Sequence, residues 1–343
     1  MSKLPGKDGP TKRPSISDVA AMAGVSTSAV SKVLRDAYGV SPLMRATVEN
    51  AIKKLGYRPR PGARAMRGKS QLIGVQVPNF GNDFFTQIID GIQARLAGTE
   101  FEIVIAVPGR PNNGHNTLEA LVDHQVDGIL AVALEVPPEE ILKISRETPI
   151  VVIGRHDSSH EYDSVFSDDF EGTKLALQYL YDQGHRQIVH VTLKPTFDRS
   201  DAKNPHSVRL LAYETFMQSH GLKSQVLIHN FGSSGLTDEV RELFENEPKP
   251  TAIFAGHDEL ALEVLGSLTE LGLTTKDVAL IGYDDTKLAA HPLIGLTTVR
   301  QFGEQLGKTA TELLLERISG ERETASHVSV MPKMIVRETT PQP

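Results

Sequence analysis

From Leu72 onward the chain alternates short, continuously apolar segments with longer amphipathic ones, and nothing else in the sequence narrows its fold so far. Leu72–Val77, Phe101–Val107, Gly128–Ala133 and Ile150–Ile153 are strand-length and rich in Val and Ile, with helical periodicity between them, as in Phe84–Leu96. Strands apolar on both faces belong to a parallel sheet covered by helices on each side. Near Val165–Asp169 the chain is expected to cross to a second lobe. There, helices Gly172–Asp182, His206–His220, Leu236–Glu245 and Glu259–Leu271 alternate with strands Gln187–Thr192, Gln225–Asn230, Ala252–Ala255 and Val278–Gly282. Leu296–Val299 leads back to helix Phe302–Ser319 in the first lobe, and the tail Ser326–Val336 crosses once more. The reading is a two-lobed α/β core over 71–343, built on doubly wound parallel sheets. Its first lobe spans about 71–167 and 301–325, and its second about 168–298 and 328–343.

The first seventy residues follow different rules. Ser17 is read as the N-cap of a first helix, with Val19, Ala20 and Ala23 inward and Gly24 closing it. Ser26 caps a second helix, Thr27 to Leu34, with Val30, Val33 and Leu34 as its apolar stripe, and Val25 fills the corner between the two. Ser41-Pro42 opens a third helix that Gly56 ends, with Val48, Ile52 and Leu55 covering the first pair. This is a helix-turn-helix over 15–58, and the outward face of its second helix shows Thr27, Ser28, Ser31 and Lys32. Short hydrogen-bonding groups near a helix N-terminus suit base edges, and cations suit phosphates.

Charge separates that face from an ordinary solvated one. Residues 1–70 hold 14 Lys and Arg against 4 Asp and Glu, a net +10, while residues 71–343 hold 22 against 39, a net −17. A basic head on an acidic body is the electrostatic footprint of nucleic-acid binding by one part of a chain. Residues 1–14, with three prolines and three lysines, read as a disordered basic arm. No eighteen apolar residues follow one another, so no membrane span is expected, and the absence of cysteine excludes disulfides and thiolate sites. Gly62 to Ser70 imitates a phosphate-binding loop, but five residues separate its glycines where that motif has four, and a strand follows it instead of a helix.

The run DVAAMAGVSTSAVSKVL, the VSP that opens the third helix, the LGYRP that closes it and the following ARAMR resemble the lactose-repressor (LacI/GalR) family. The likeness extends over the chain beyond its first fourteen residues. It implies a transcription regulator, most often a repressor. Such a protein acts as a homodimer on a pseudo-palindromic DNA operator in the bacterial cytoplasm and nucleoid, and is governed by a small-molecule effector. It further implies DNA contacts from Ser17, Thr27, Ser28, Ser31, Lys32 and Arg35. It implies as well a hinge helix within 59–70 that presents Ala63, Arg64, Met66 and Arg67 to the minor groove, with Met66 where the family carries a leucine wedge. The core it implies is periplasmic-binding-protein-like, which leaves a solute-binding protein as the alternative; such a protein has no use for a basic helix-turn-helix.

Ligands of doubly wound lobes sit at the carboxyl ends of the strands. The effector candidates are therefore Asn79, Phe84 and Phe85 after the first strand, Arg155 after the fourth, Asp168 at the crossing, and Arg209, His257, Asp258 and Asp284 in the second lobe. By the resemblance, Arg209 and Asp284 are the principal contacts, and His257 stands where the family carries asparagine. Asp258 also reads as a helix cap, and either phenylalanine as core. Arg209 and Asp284 together suit a sugar, sugar phosphate or polyol, with a purine as the lesser alternative. No cofactor, metal site or catalytic constellation can be assembled: G-x-S-x-G, H-E-x-x-H and G-x-G-x-x-G are all absent.

Overall fold

The computed structural model describes residues 14–34, 37–57, 70–109, 114–193, 203–229 and 236–341. The chain divides into two compact units, Met1–Gln71 and Leu72–Pro343.

The first unit holds α1 (Ile16–Ala23), α2 (Thr27–Leu34) and α3 (Pro42–Leu55). The cap of α1 is Ser15, not Ser17. Ser15 Oγ accepts from Asp18 N at 3.3 Å, and the Asp18 carboxylate accepts from Ser15 N at 2.7 Å. That reciprocal box needs an acceptor three residues past the cap, which Asp18 supplies to Ser15 and Ala20 cannot supply to Ser17. Gly24 ends α1 at φ 66°, so the tight turn to Ser26 is reached without a Cβ clash. Ser26 Oγ accepts from Ala29 N at 3.2 Å, and Ser41 Oγ from Met44 N at 3.3 Å. Helices of eight to fourteen residues are marginal alone. What holds these three is the core of Val19, Val30, Val33 and Val48, completed by Ala20, Ala51 and Tyr57.

The second unit contains two six-stranded sheets. The first is built from β1 (Leu72–Gln76), β2 (Glu102–Ala106), β3 (Gly128–Val132), β4 (Ile150–Ile153), β5 (Asp163–Ser167) and β11 (His327–Val330), in the order β11-β5-β4-β3-β1-β2. The second is built from β6 (Ile188–Leu193), β7 (Gln225–His229), β8 (Ala252–Ala255), β9 (Ala279–Asp284), β10 (Thr297–Arg300) and β12 (Lys333–Ile335), in the order β12-β10-β9-β8-β6-β7. All pairs are parallel except β10 with β12. Helices α4 (Asp83–Leu96), α5 (Gly114–Asp123), α6 (Pro138–Ser145) and α11 (Gly303–Ser319) belong to the first lobe. Helices α7 (Asp169–Asp182), α8 (Pro205–Ser219), α9 (Thr237–Glu245) and α10 (Asp258–Glu270) belong to the second. The buried strands β3, β4, β8 and β9 explain the unbroken apolar runs, since each is covered on both faces.

The chain crosses between lobes at Asp168, between Arg300 and Gly303, and at Met331–Pro332. The last crossing is later than the sequence suggests. Val328 pairs with Val165, so residues 328–330 belong to the first lobe, and the second resumes at Lys333. A charge cluster fixes that return: buried Asp163 accepts from Arg317 Nε at 2.9 Å, Arg322 Nη1 at 2.7 Å and Ser326 N at 2.7 Å. Burial alone would raise the Asp163 pKa, but these donors hold it below the ordinary carboxylate value.

In each lobe the order of strands reverses beside the first one, β1 between β2 and β3 and β6 between β7 and β8. The crevice beyond the carboxyl ends at those switch points is where such sheets take ligands. Helices α4 and α11 pack backbone to backbone, because a Cβ at Gly91 would lie 2.1 Å from the Glu304 carbonyl oxygen and one at Gly307 2.1 Å from that of Ile88. That close approach fixes the N-terminus of α4 at the crevice.

Candidate functional site

In the first unit, α2 presents Thr27, Ser28 and Lys32 to solvent, with Ser31 partly covered. Ser28 Oγ lies 2.8 Å from the capping Ser26 Oγ. Ser17 is exposed in the first turn of α1. The sequence reading overlooked Tyr38, whose side chain is fully exposed between α2 and α3. Arg35, Ala63, Arg64, Met66 and Arg67 lie outside the described residues.

In the second unit, a cleft opens between the lobes at the two switch points. One wall is apolar, made by Phe84, Phe85, Ile88 and Leu306 of the first lobe. Facing it is a polar ring of Asn82, Arg209, His257, Asp284, Gln301 and His206. Asn82 caps α4 through Oδ1, which accepts from Phe84 N at 2.9 Å, and its Nδ2 donates across the cleft to Asp284 Oδ2 at 3.2 Å. The other Asp284 oxygen accepts from Gln301 Nε2 at 2.5 Å. Asp284 sits at φ 119°, a strained backbone state that aims its side chain off the end of β9.

Arg209 is buried. Its Nε donates to Asp169 Oδ1 at 2.7 Å, its Nη1 donates to the Gly256 carbonyl, and its guanidinium lies 3.8 Å from the Tyr283 ring centroid. Asp169 also contacts His156 Nε2 at 2.8 Å. Burial works against ionised Asp169, but the Arg209 charge and the His156 bond outweigh it and hold its pKa below the usual carboxylate value. Asp284 behaves oppositely, pushed up to about 8 chiefly by burial. Burial, with Arg209 nearby, lowers His257 to about 3, and His206 is depressed by burial and by His257. Both imidazoles are therefore neutral at physiological pH. Their rings meet edge to face with centroids 5.3 Å apart, and His257 Nδ1 has no partner among the described residues.

The structure brings Phe84, Phe85, Arg209, His257 and Asp284 together around this cleft and gives four other candidates different work. Asn79 Oδ1 accepts from Gly81 N at 2.7 Å and Asn82 N at 3.3 Å, shaping the loop that presents Asn82. Arg155 is buried against Asp157 at 2.6 Å and the carbonyls of Leu134 and Val136. Asp168 caps α7 through Glu171 N at 3.0 Å, leaving its neighbour Asp169 to meet Arg209. Asp258 is not the cap of its helix. Its carboxylate holds the turn after β9, accepting from Thr286 N at 2.8 Å and Thr298 Oγ1 at 2.6 Å, and burial raises it to about 6. Sequence reasoning missed Asn82, His206 and Gln301. The first two had a local signal, since Asn82 and the Asn204-Pro205-His206 start of α8 are N-cap signatures facing a cleft. Among the described residues, no group of three or more His, Asp or Glu is placed to hold a metal ion.

Comparison with known proteins gives the following likenesses. A profile described as bacterial regulatory proteins, lacI family, matches residues 15–60, and one described as a periplasmic binding protein-like domain matches residues 177–340. The ribose operon repressor of Escherichia coli (strain K12) is 31% identical over 328 residues, spanning 93% of this chain and 98% of the repressor. Among solved structures, a transcriptional regulator CelR–cellobiose complex is 28% identical with a TM-score of 0.69, covering 95% of this chain and 100% of that one. A LacI family transcriptional regulator from Enterococcus faecalis V583 with bound ribose is 29% identical with a TM-score of 0.69, covering 79% of this chain and 99% of that one.

Proposed function

The chain belongs to the LacI family of bacterial transcription regulators, and from that premise we propose that it is a repressor whose hold on its operator is set by a neutral sugar bound between its lobes. Its helix-turn-helix makes it a DNA-binding regulator, not a free solute carrier. The observation that carries the effector reading is the cleft itself, where the Asn82–Asp284–Gln301 chain, Arg209 and His257 face Phe84, Phe85 and Leu306. Alternating hydroxyls and C–H faces of a sugar match that pairing of donors and acceptors with an apolar wall. Within the class of sugars, sugar phosphates and polyols, the neutral members fit better, because Asp169 already balances the Arg209 charge. The relatives named above, a ribose repressor and structures holding ribose and cellobiose, support a sugar.

In this reading Thr27 and Ser28 meet base edges, while Ser17, Ser31, Lys32 and Arg35 position the head on the backbone. Two copies pair on a pseudo-palindromic operator, where Ala63, Arg64, Met66 and Arg67 form the minor-groove hinge and Met66 is the wedge. The protein works in the cytoplasm on nucleoid DNA; among the described residues no helix is long and apolar enough to cross a membrane. In this reading the cleft binds its ligand without turning it over, in keeping with relatives that are repressors. A ligand that prefers one relative arrangement of the lobes shifts the operator equilibrium by its differential affinity for the two.

The test is operator binding of the full chain, followed by fluorescence anisotropy during titration with ribose, glucose and cellobiose. One or more of them should change operator affinity, and Gln301→Ala should weaken that response without altering binding in the absence of sugar. If no neutral sugar moves either the operator affinity or the melting of the core, the reading is wrong.

A further inference from the structure

The head carries one feature that neither its core nor its helix caps account for. Tyr38 lies in the turn between α2 and α3 and is the most exposed large apolar side chain among the described residues, ahead of Leu293 and Leu43. A tyrosine left in water forgoes the free energy of burying its ring. The backbone beneath it is not loose. Ala37 N donates to the Lys32 carbonyl at 3.0 Å, which ties the turn to the last residues of α2. Gly39 takes φ 87°, a left-handed state that glycine reaches without strain. Val40 then packs against the core of the head, and Ser41 caps α3.

This mounting places the ring at the C-terminal end of α2. The outward face of that helix bears Thr27, Ser28, Ser31 and Lys32, which offer hydrogen bonds and a cation but little apolar surface. Thymine is distinguished in the major groove by its C5-methyl, which apolar side chains read. A helix whose first turn meets base edges brings the turn at its far end against the rim of the groove. An aromatic ring held there has two side-chain torsions to fix on binding, so little conformational entropy is lost. Its hydroxyl extends past the ring as a donor for a phosphate oxygen. A different exposed apolar group of the head, Met22, lies in the groove between α1 and α3 with Ala46, Thr47 and Asn50, where no residue of α2 is found.

We propose that Tyr38 is a specificity residue for the operator. Its ring lies against the C5-methyl of one thymine in each half-site, at the end approached by the C-terminus of α2, and its hydroxyl donates to a neighbouring phosphate oxygen. The proposal rests on the reading of the helix-turn-helix as an operator reader and adds to it one base preference and the residue that imposes it.

The full chain first selects its preferred duplexes from a random pool. Each thymine of the selected half-site is then replaced by uracil, which lacks only the methyl, in both halves together. Operator affinity is measured by fluorescence anisotropy for the native protein, Tyr38→Phe, Tyr38→Ala and Met22→Ala. At one thymine, uracil should weaken the native protein by about fourfold per half-site, the value of one buried methyl, and by about fifteenfold for both. Tyr38→Phe should keep that dependence and bind every sequence about threefold less tightly per half-site, having lost only the phosphate bond. Tyr38→Ala should bind the thymine operator about fifteenfold or more weakly and be indifferent to uracil at that position. Met22→Ala should match the native protein throughout. A Tyr38→Ala protein that keeps the native affinity or the native response to uracil overturns the proposal, as does the same loss of response in Met22→Ala. Its circular dichroism should be native; an altered spectrum would make Tyr38 a structural residue and overturn the proposal too. If the native chain selects no sequence at all, the operator reading fails instead, which separates the two failures.

Discussion

Replacing Asp169 by asparagine removes one charge from the cleft and almost nothing else. In the native protein Asp169 is 1% exposed and accepts from Arg209 at 2.7 Å and contacts His156 at 2.8 Å. The asparagine oxygen can serve Arg209, and its amide nitrogen can donate to His156 Nε2 in the other tautomer, so both hydrogen bonds survive. What remains is a guanidinium, 3% exposed, without its counter-charge. Breaking a buried pair on one side costs about 3–5 kcal/mol. The Tyr283 face 3.8 Å from Arg209 offsets part of this, by about 0.5–2 kcal/mol, which places the cost near the low end. At roughly 2 °C per kcal/mol for a unit of this size, about 3 kcal/mol lowers the melting point of the core by about 6 °C. The double variant Asp169→Asn/Arg209→Met leaves no uncompensated charge and should regain most of the loss, giving a coupling energy of at least about 2 kcal/mol in the double-mutant cycle. It should also lose the sugar response while its operator binding without sugar is unchanged. Calorimetry of the four proteins decides the matter. A single variant that melts within about 2 °C of the native protein, or a double variant whose losses simply add, refutes the assignment of Asp169 as the counter-charge of Arg209.

Four further outcomes are expected. His190 is fully buried in β6, stacked on Phe254, and lowered by burial to about 4, so the unfolded chain takes up its proton first as pH falls. Its contribution to stability is complete above about pH 6.5 and is lost toward pH 4, by about 3 kcal/mol. His190→Phe should flatten that part of the stability–pH curve, and superimposable curves would disprove it. The raised Asp284 titrates with the opposite sign but is common to both proteins. Gly307→Ala gains about 1 kcal/mol of helix propensity, yet its Cβ meets the Ile88 carbonyl, so a net loss of about 1–2 kcal/mol is expected in denaturant unfolding; an unchanged midpoint would contradict the close packing of α4 on α11. Lys32→Ala should reduce the slope of log affinity against log salt by about 0.9, and an unaltered slope would remove Lys32 from the phosphate contacts. Met66→Ala should lower specific operator affinity by about tenfold or more while non-specific binding holds, with DNA bending measured alongside; equal bending would leave Met66 a packing residue.

Local rules were legible in the sequence because their partners lie within a turn or a strand. Ser26, Ser41, Gly24 and Gly56 cap helices where their residue types indicate, and the apolar runs of β3, β4, β8 and β9 are the buried strands. Even the Ser17 misreading is local, since Ser15 with Asp18 is a stronger pattern three residues apart. The two lobes and the region of the cleft follow from the same periodicity, as does the basic head from its composition.

Which charged candidate faces the cleft was not legible in local pattern, and only the resemblance to a known family singled out Arg209 and Asp284. Pattern alone does not separate Arg155 from Arg209 or Asp258 from Asp284, and Asp168 and Asp169 are neighbours. Only the assembled fold sets Arg155 against the Leu134 and Val136 carbonyls and turns Asp258 toward Thr286 and Thr298, while Arg209 meets an aspartate 40 residues away and Asp284 meets Asn82 across 202 residues. A buried charge or amide must find partners before water is excluded from it, and the chain can supply those partners from any distance. Capping and periodicity are therefore written along the backbone, whereas the facing of a buried polar group is decided by which segments the fold brings to its side.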